Sequence, residues 1–300
     1  MINFEHKLLI APPPLEQLSI ANNINNYGCT ILRLDKINAL YGGNKYFKLK
    51  QNLKTFFSGD FSCIISFGGA YSNHIYSLAA IGKELGIKTI GIIRGLEPEN
   101  LSSTLNFAKE CGMELLSISR TEYSLKNDEI FLEQLRKKHP KCLIIPEGGS
   151  NELGIEGCKE ITNLIPFDFN YIVLPCGTGS TLSGIVSSLK PHQKAVGISV
   201  LKGEDTFTRF VLKQNLGKEK SFTVLHDYNF GGYAKKDKTL LKFITEFKLK
   251  HKIPLDFVYS AKAMFALINL IEKSYFLKDS QIVFVHTGGL QNGAMCIAEQ

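Results

Sequence analysis

The sequence contains no tryptophan, and its seven cysteines, at 29, 63, 111, 142, 158, 176 and 296, include no Cys-x-x-Cys pair. Without such a pair the usual signature of a structural zinc site is missing. An odd, scattered set is expected to stay as reduced thiols, as in a cytosolic protein. No run approaches the roughly 18 apolar residues that a membrane span requires. The first residues, MINFEHKLLIAPPP, lack the apolar core and cleavage site of a signal peptide. A cytoplasmic location is therefore expected, with no membrane partner. The seven histidines show no His-Glu-x-x-His spacing, and no catalytic metal is expected. Internal repeats and low-complexity tracts are also absent.

What is present is the composition of a globular protein: 44% hydrophobic and 21% charged residues over 300 positions, enough for two domains. Lys and Arg number 35 against 28 Asp and Glu, a net +7. That excess is modest at this size and does not call for a nucleic-acid partner. The most basic stretch, 235–252, carries seven lysines, with Leu240, Leu241, Ile244 and Phe247 recurring at helical spacing among them. It is expected to form an amphipathic helix with a solvated lysine face.

Short β-rich apolar runs occur at 63–67, 89–93, 115–118, 143–145, 171–174, 195–200 and 282–285. Near-continuous apolar runs suit strands covered on both faces. Helix-length segments separate them, one after Asn73 and another over 128–138. Alternating strands and helices imply an α/β architecture with mostly parallel sheets.

Four glycine-rich turns punctuate this pattern. They are Gly42-Gly43-Asn44-Lys45, Ser66-Phe67-Gly68-Gly69-Ala70-Tyr71-Ser72-Asn73, Cys176-Gly177-Thr178-Gly179-Ser180-Thr181 and His286-Thr287-Gly288-Gly289. Three follow strands, and ligands of open α/β sheets bind beyond the carboxyl ends of strands. Gly177 and Gly179 allow close approach of backbone N–H groups, Thr178, Ser180 and Thr181 add hydroxyls, and a helix start follows: a phosphate cradle without a fixed cation. It is not a Walker A loop, and Leu182 stands where a dinucleotide fingerprint has its third glycine. A plain strand-to-helix turn capped by hydroxyls would look the same, as would simple capping by Ser72. A lone lysine is by default a surface residue, but paired glycines beside Lys45 suit close packing on a ligand and an activated amine.

Together these segments resemble the 1-aminocyclopropane-1-carboxylate deaminase and D-cysteine desulfhydrase family. GGNKYFKL is similar to its pyridoxal-phosphate lysine segment, SFGGAYSNH to its serine–asparagine turn and CGTGSTLSG to its phosphate loop, while FGGYAK, DFVYSAKAM and VHTGGL resemble three later segments. The six occur in family order over nearly the whole chain. The resemblance implies the tryptophan-synthase-β type of fold (fold type II), with a small domain over 48–145, a large one over 1–47 and 146–300, and a homodimer. It also implies pyridoxal 5'-phosphate as cofactor, with Lys45 as its Schiff-base lysine. Asn73 would bond the cofactor's 3-hydroxyl, and Gly177, Thr178, Gly179, Ser180 and Thr181 would bind its phosphate. Ser260 and Thr287 would contact the cofactor as well. Ser72 would meet the carboxylate of a small amino-acid substrate and shuttle protons, Tyr233 and Tyr259 would lie near that substrate, and Lys48 matches a second lysine one helical turn after the first.

Departures within the segments bear on the activity. The deaminase branch carries a glutamate facing the pyridine nitrogen where this chain has Ser260. A carboxylate keeps that nitrogen protonated and the ring a strong electron sink, and a hydroxyl leaves it nearly neutral. Opening of a cyclopropane, which cannot start from an α-proton, suffers most, and β-elimination of a thiolate suffers less. His74 matches the desulfhydrase branch, where deaminases have glutamine. Tyr71 and Phe47 replace a glutamine and an arginine common in relatives. The expected reaction is β-elimination from D-cysteine to pyruvate, sulfide and ammonia. The alternatives are the cyclopropane deaminase, a serine dehydratase, racemase or cysteine-synthase-like enzyme, and a noncatalytic nucleotide-binding Rossmann protein in which Glu204 would read a ribose.

Overall fold

The computed structural model describes residues 4–20, 24–95, 99–202 and 206–292. Glu204 and Cys296 lie outside the described residues. The chain divides into two compact units, Met1–Ile10 with Asn38–Gly157, and Ala11–Ile37 with Cys158–Gln300. The sequence boundaries at 47/48 and 145/146 differ from this division. The first of them would cut the helix Asn44–Ser58, so that helix, with Lys45, groups with the smaller sheet.

The first unit holds a four-stranded sheet in the order Glu114–Ile118, Lys88–Arg94, Cys63–Gly68, Cys142–Ile145, every pairing parallel. The strand Cys63–Gly68 is buried along its whole length, as its unbroken apolar run requires. Ile65, Phe67, Ile90 and Ile92 pack with Tyr123 and Leu135 into one core on this sheet. Cys63 and Cys142 stand opposite each other in register, their Cα atoms 4.5 Å apart and their sulfurs in contact. A separation of 79 residues hides a contact that only strand pairing creates. Burial pushes the free Cys29 thiol up to about 12, which removes it as a nucleophile.

The second unit holds six strands in the order Leu15–Gln17, Gly28–Arg33, Gln281–His286, Tyr171–Cys176, Lys194–Ser199, Phe222–Leu225. Only the first pairing is antiparallel. The basic stretch forms the helix Lys238–His251, begun by Asp237, whose side chain accepts from Leu240 N at 2.8 Å. Leu240, Ile244 and Phe247 are buried against the helix Ser260–Glu272 and the sheet, while the lysines face solvent. Among the described residues no helix is long and apolar enough to cross a membrane.

All seven expected strands form. Three others, Leu15–Gln17, Gly28–Arg33 and Phe222–Leu225, were not expected. Gly28–Arg33 is the instructive one, because it ends in an arginine that is almost wholly buried. Arg33 donates to both oxygens of Asp35 at 2.8 and 2.6 Å and to Glu16 at 2.8 Å, so the charge is paired on every side.

Candidate active site

In the first unit, Gly43 adopts φ 96°, a conformation that favours glycine, and starts the helix Asn44–Ser58. Lys45 is its second residue, with Nζ 3.4 Å from Asn44 Oδ1. One turn on, the buried Lys48 donates to Gly148 O at 3.1 Å. The turn after the strand Cys63–Gly68 leads into the helix Asn73–Leu85, which Ser72 caps by accepting from Ile75 N at 3.3 Å. Capping uses an oxygen lone pair and leaves the Ser72 proton to donate, so the two roles weighed for this residue are compatible. Asn73 is the first helical residue. This unit therefore gathers Lys45, Lys48, Ser72 and Asn73 on the starts of two neighbouring helices.

His74 is fully buried below this turn. Its Nε2 lies 2.9 Å from Ser66 Oγ, and Ser66 Oγ lies 2.8 Å from Ile145 O. The carbonyl can only accept, so it takes the single serine proton. His74 Nε2–H must then donate to Ser66, which assigns the tautomer from the network and leaves Nδ1 as an acceptor. Nδ1 has no partner among the described residues. Burial, reinforced by the positive charges of Lys45 and Lys48, holds the imidazole well below its usual range, so the ring is neutral. Gly149 leaves room beside it: a Cβ there would come within 3.1 Å of Lys48 Cβ and 3.3 Å of His74 Cε1.

In the second unit, the buried strand Tyr171–Cys176 delivers Gly177, and Gly179, at φ 84°, opens the helix Ser180–Ser188 without a side-chain cap. Thr178 Oγ1 and Ser180 Oγ are 3.1 Å apart, and Ser180 and Thr181 are buried. A Cβ on Gly177 would meet Tyr259 Cε1 at 3.2 Å, so glycine keeps this cradle open beside the tyrosine. Uncapped N–H groups, clustered hydroxyls and a helix start fit a phosphate dianion. Tyr233 and Tyr259 stand edge to face with ring centroids 6.1 Å apart. Thr287 follows the strand Gln281–His286, and His286 Nε2 donates to Pro254 O at 2.9 Å.

Ser260 does not stand alone at its helix start. It is fully buried and donates to Asp256 Oδ1 at 2.7 Å, while accepting from Asp256 N at 2.8 Å. Asp256 also accepts from Val258 N, Tyr259 N and Ser260 N at 2.8–2.9 Å. Burial raises the pKa of this carboxyl in spite of those four donors. Asp256 and Lys262 lie within DFVYSAKAM, and the sequence alone assigns neither a role. An acidic residue four positions ahead of a serine at a helix start was the available signal for the first.

The sequence pattern of pyridoxal-phosphate dependent enzymes matches residues 7–288. A bifunctional D-cysteine desulfhydrase/1-aminocyclopropane-1-carboxylate deaminase of Arabidopsis thaliana is 31% identical, over 93% of this chain and 76% of its own length. A D-cysteine desulfhydrase of Klebsiella pneumoniae is 27% identical, over 94% and 93% of the two chains. Among solved structures, an ACC deaminase homologue superposes with a TM-score of 0.80 at 25% identity, covering 97% of this chain and 94% of its own. Serine racemase of Dictyostelium discoideum shares the fold alone, with a TM-score of 0.70 at 15% identity. Those likenesses cover both sheets and the turns at their strand ends, and they set aside the noncatalytic Rossmann alternative: the chain belongs to the family of pyridoxal-phosphate dependent enzymes.

Proposed function

We propose that the chain eliminates the β-thiol of D-cysteine, converting D-cysteine and water to pyruvate, hydrogen sulfide and ammonia. The observation that carries this reading is the buried hydroxyl of Ser260, at the position where the deaminase branch presents a carboxylate. The nearby Asp256 charge does not replace that carboxylate, because three backbone N–H groups and Ser260 Oγ already disperse it.

When bound, the cofactor supplies an aldehyde that condenses with amines and a ring that draws electron density from the substrate's α-carbon. Lys45 would hold its aldehyde carbon, Asn73 its 3-hydroxyl and Gly177–Thr181 its phosphate. Lys45 Nζ would take the α-proton, with Ser72 assisting and fixing the carboxylate. Tyr259, and Tyr233 beside it, place the substrate and give a proton to the departing thiolate. The Arabidopsis relative's second activity supports one alternative, conversion of 1-aminocyclopropane-1-carboxylate and water to 2-oxobutyrate and ammonia.

The deciding experiment supplies D-cysteine, L-cysteine and 1-aminocyclopropane-1-carboxylate in parallel to one preparation. Pyruvate and sulfide from D-cysteine alone are expected. Appearance of 2-oxobutyrate would overturn the argument from Ser260. A cytoplasmic homodimer completes the reading, and sedimentation at several concentrations tests its dimeric part.

A further inference from the structure

Lys262 is a buried cation that the proposed reaction does not use. It is the third residue of the helix Ser260–Glu272 and fully enclosed. The positive end of a helix is an unfavourable place for an ammonium group. Burial lowers its pKa to about 8, with the Asp256 carboxylate acting in the opposite direction. Two contacts compensate: Nζ donates to Asn229 O at 2.8 Å and to Gly232 O at 2.7 Å.

Both carbonyls belong to one turn, and the turn is unusual. Phe230, Gly231, Gly232 and Ala234 all have positive φ, at 52°, 91°, 116° and 54°. Such a run aims carbonyl oxygens inward and needs something to hold it. Asn229 Nδ2 donates to His226 O at 2.7 Å and Asn229 Oδ1 accepts from Gly231 N at 2.9 Å, which closes the near side. On the far side the residue after Gly232 is Tyr233, half exposed and edge to face with Tyr259. Tyr259 in turn lies against Gly177 of the phosphate cradle. The chain from Lys262 to Tyr233 is thus one carbonyl and one peptide bond long.

We infer that Lys262 is a positioning residue, whose ammonium grips the carbonyl oxygens of Asn229 and Gly232 and so fixes the turn that presents Tyr233 to the amino-acid substrate. The substrate half of this statement rests on the proposed function, and the turn half does not.

The test uses Lys262→Ala, which leaves space for an added cation, and Lys262→Met, which keeps the length but no donors. Lys235 and Lys236 are exposed directly after the turn and report its opening to trypsin. Cleavage there is expected to quicken about tenfold in Lys262→Ala, since two charge-assisted hydrogen bonds are lost. The kcat/KM for D-cysteine is expected to fall by about as much, because Tyr233 is no longer held against the substrate. Added n-propylammonium, which matches the deleted atoms, should restore protection and turnover. Tetramethylammonium, of equal charge and without N–H donors, should restore neither. Should Lys262→Ala not fold, Lys262→Met carries the cleavage comparison, and Lys262→Arg, which keeps the charge and donors, should stay nearer wild type. Wild-type cleavage in the variants, or equal rescue by both cations, overturns the inference. A protein that turns over no D-cysteine would defeat the proposed function, while the cleavage arm would still decide this one.

Discussion

His74 shows how much one residue depends on partners that spacing does not reveal. As part of SNH it was recognisable only as a clue to the branch of the family. Its work is structural: a neutral ring tying the helix Asn73–Leu85 to Ser66 and thence to Ile145 O. Neutrality has a pH consequence. The unfolded chain takes up a proton at this histidine below about pH 6.5, and the fold refuses it. Its contribution to stability is therefore complete above that pH and declines by up to about 1.4 kcal/mol per unit below it. Urea unfolding at pH 7.5 and pH 5 should show His74→Gln losing less stability on acidification than wild type, since glutamine does not titrate. Equal losses would refute the neutral assignment. At this scale Lys45, Ser72 and Asn73 stand out in the sequence as candidates, the first from paired glycines and the other two from a strand-to-helix turn. Ser66 and Lys262 do not, because their roles are set by buried hydrogen bonds to distant backbone.

Elements were easiest to read where physics acts locally. Unbroken apolar runs became strands, and Ser72, Asp128 and Asp237 each cap the helix that follows by accepting a backbone N–H. The strand Gly28–Arg33 escaped because a polar start and a terminal arginine break the apolar pattern, and only Asp35 and Glu16 make that burial tolerable. The helix Ser260–Glu272 has the least visible start. Its cap is not the preceding residue but the Asp256 carboxylate, four positions before the first helical residue. Truncation by Asp256→Ala would leave buried N–H groups and the Ser260 hydroxyl without their acceptor. A loss of about 2–3 kcal/mol is expected, at the upper end for a cap, because the Ser260 N–H and hydroxyl are buried away from water. Chemical denaturation measures it directly. A loss under about 0.5 kcal/mol, the size of a surface substitution, would show that the carboxylate does not organise this helix start.

At the scale of the whole chain, the order of glycine-rich turns along the sequence was more informative than any single turn. Each turn after a parallel strand sits at its carboxyl end, where open α/β sheets bind ligands. The division of labour between the two units was not readable, because Lys45 lies close in sequence to residues that join the other sheet. Lys45 lies in the first unit and Gly177–Thr181 in the second. Separate locations predict separable energies. Inorganic phosphate, binding only at Gly177–Thr181, should raise the melting temperature of wild type and Lys45→Ala equally. Pyridoxal 5'-phosphate should protect wild type further, since ligand at a hundred times its Kd adds about 2.7 kcal/mol and covalent attachment tightens Kd. In Lys45→Ala that surplus should shrink, borohydride should fix no cofactor, and turnover should cease. Full activity in Lys45→Ala would remove the amine from the chemistry, and unequal protection by phosphate would mean that phosphate binding depends on Lys45.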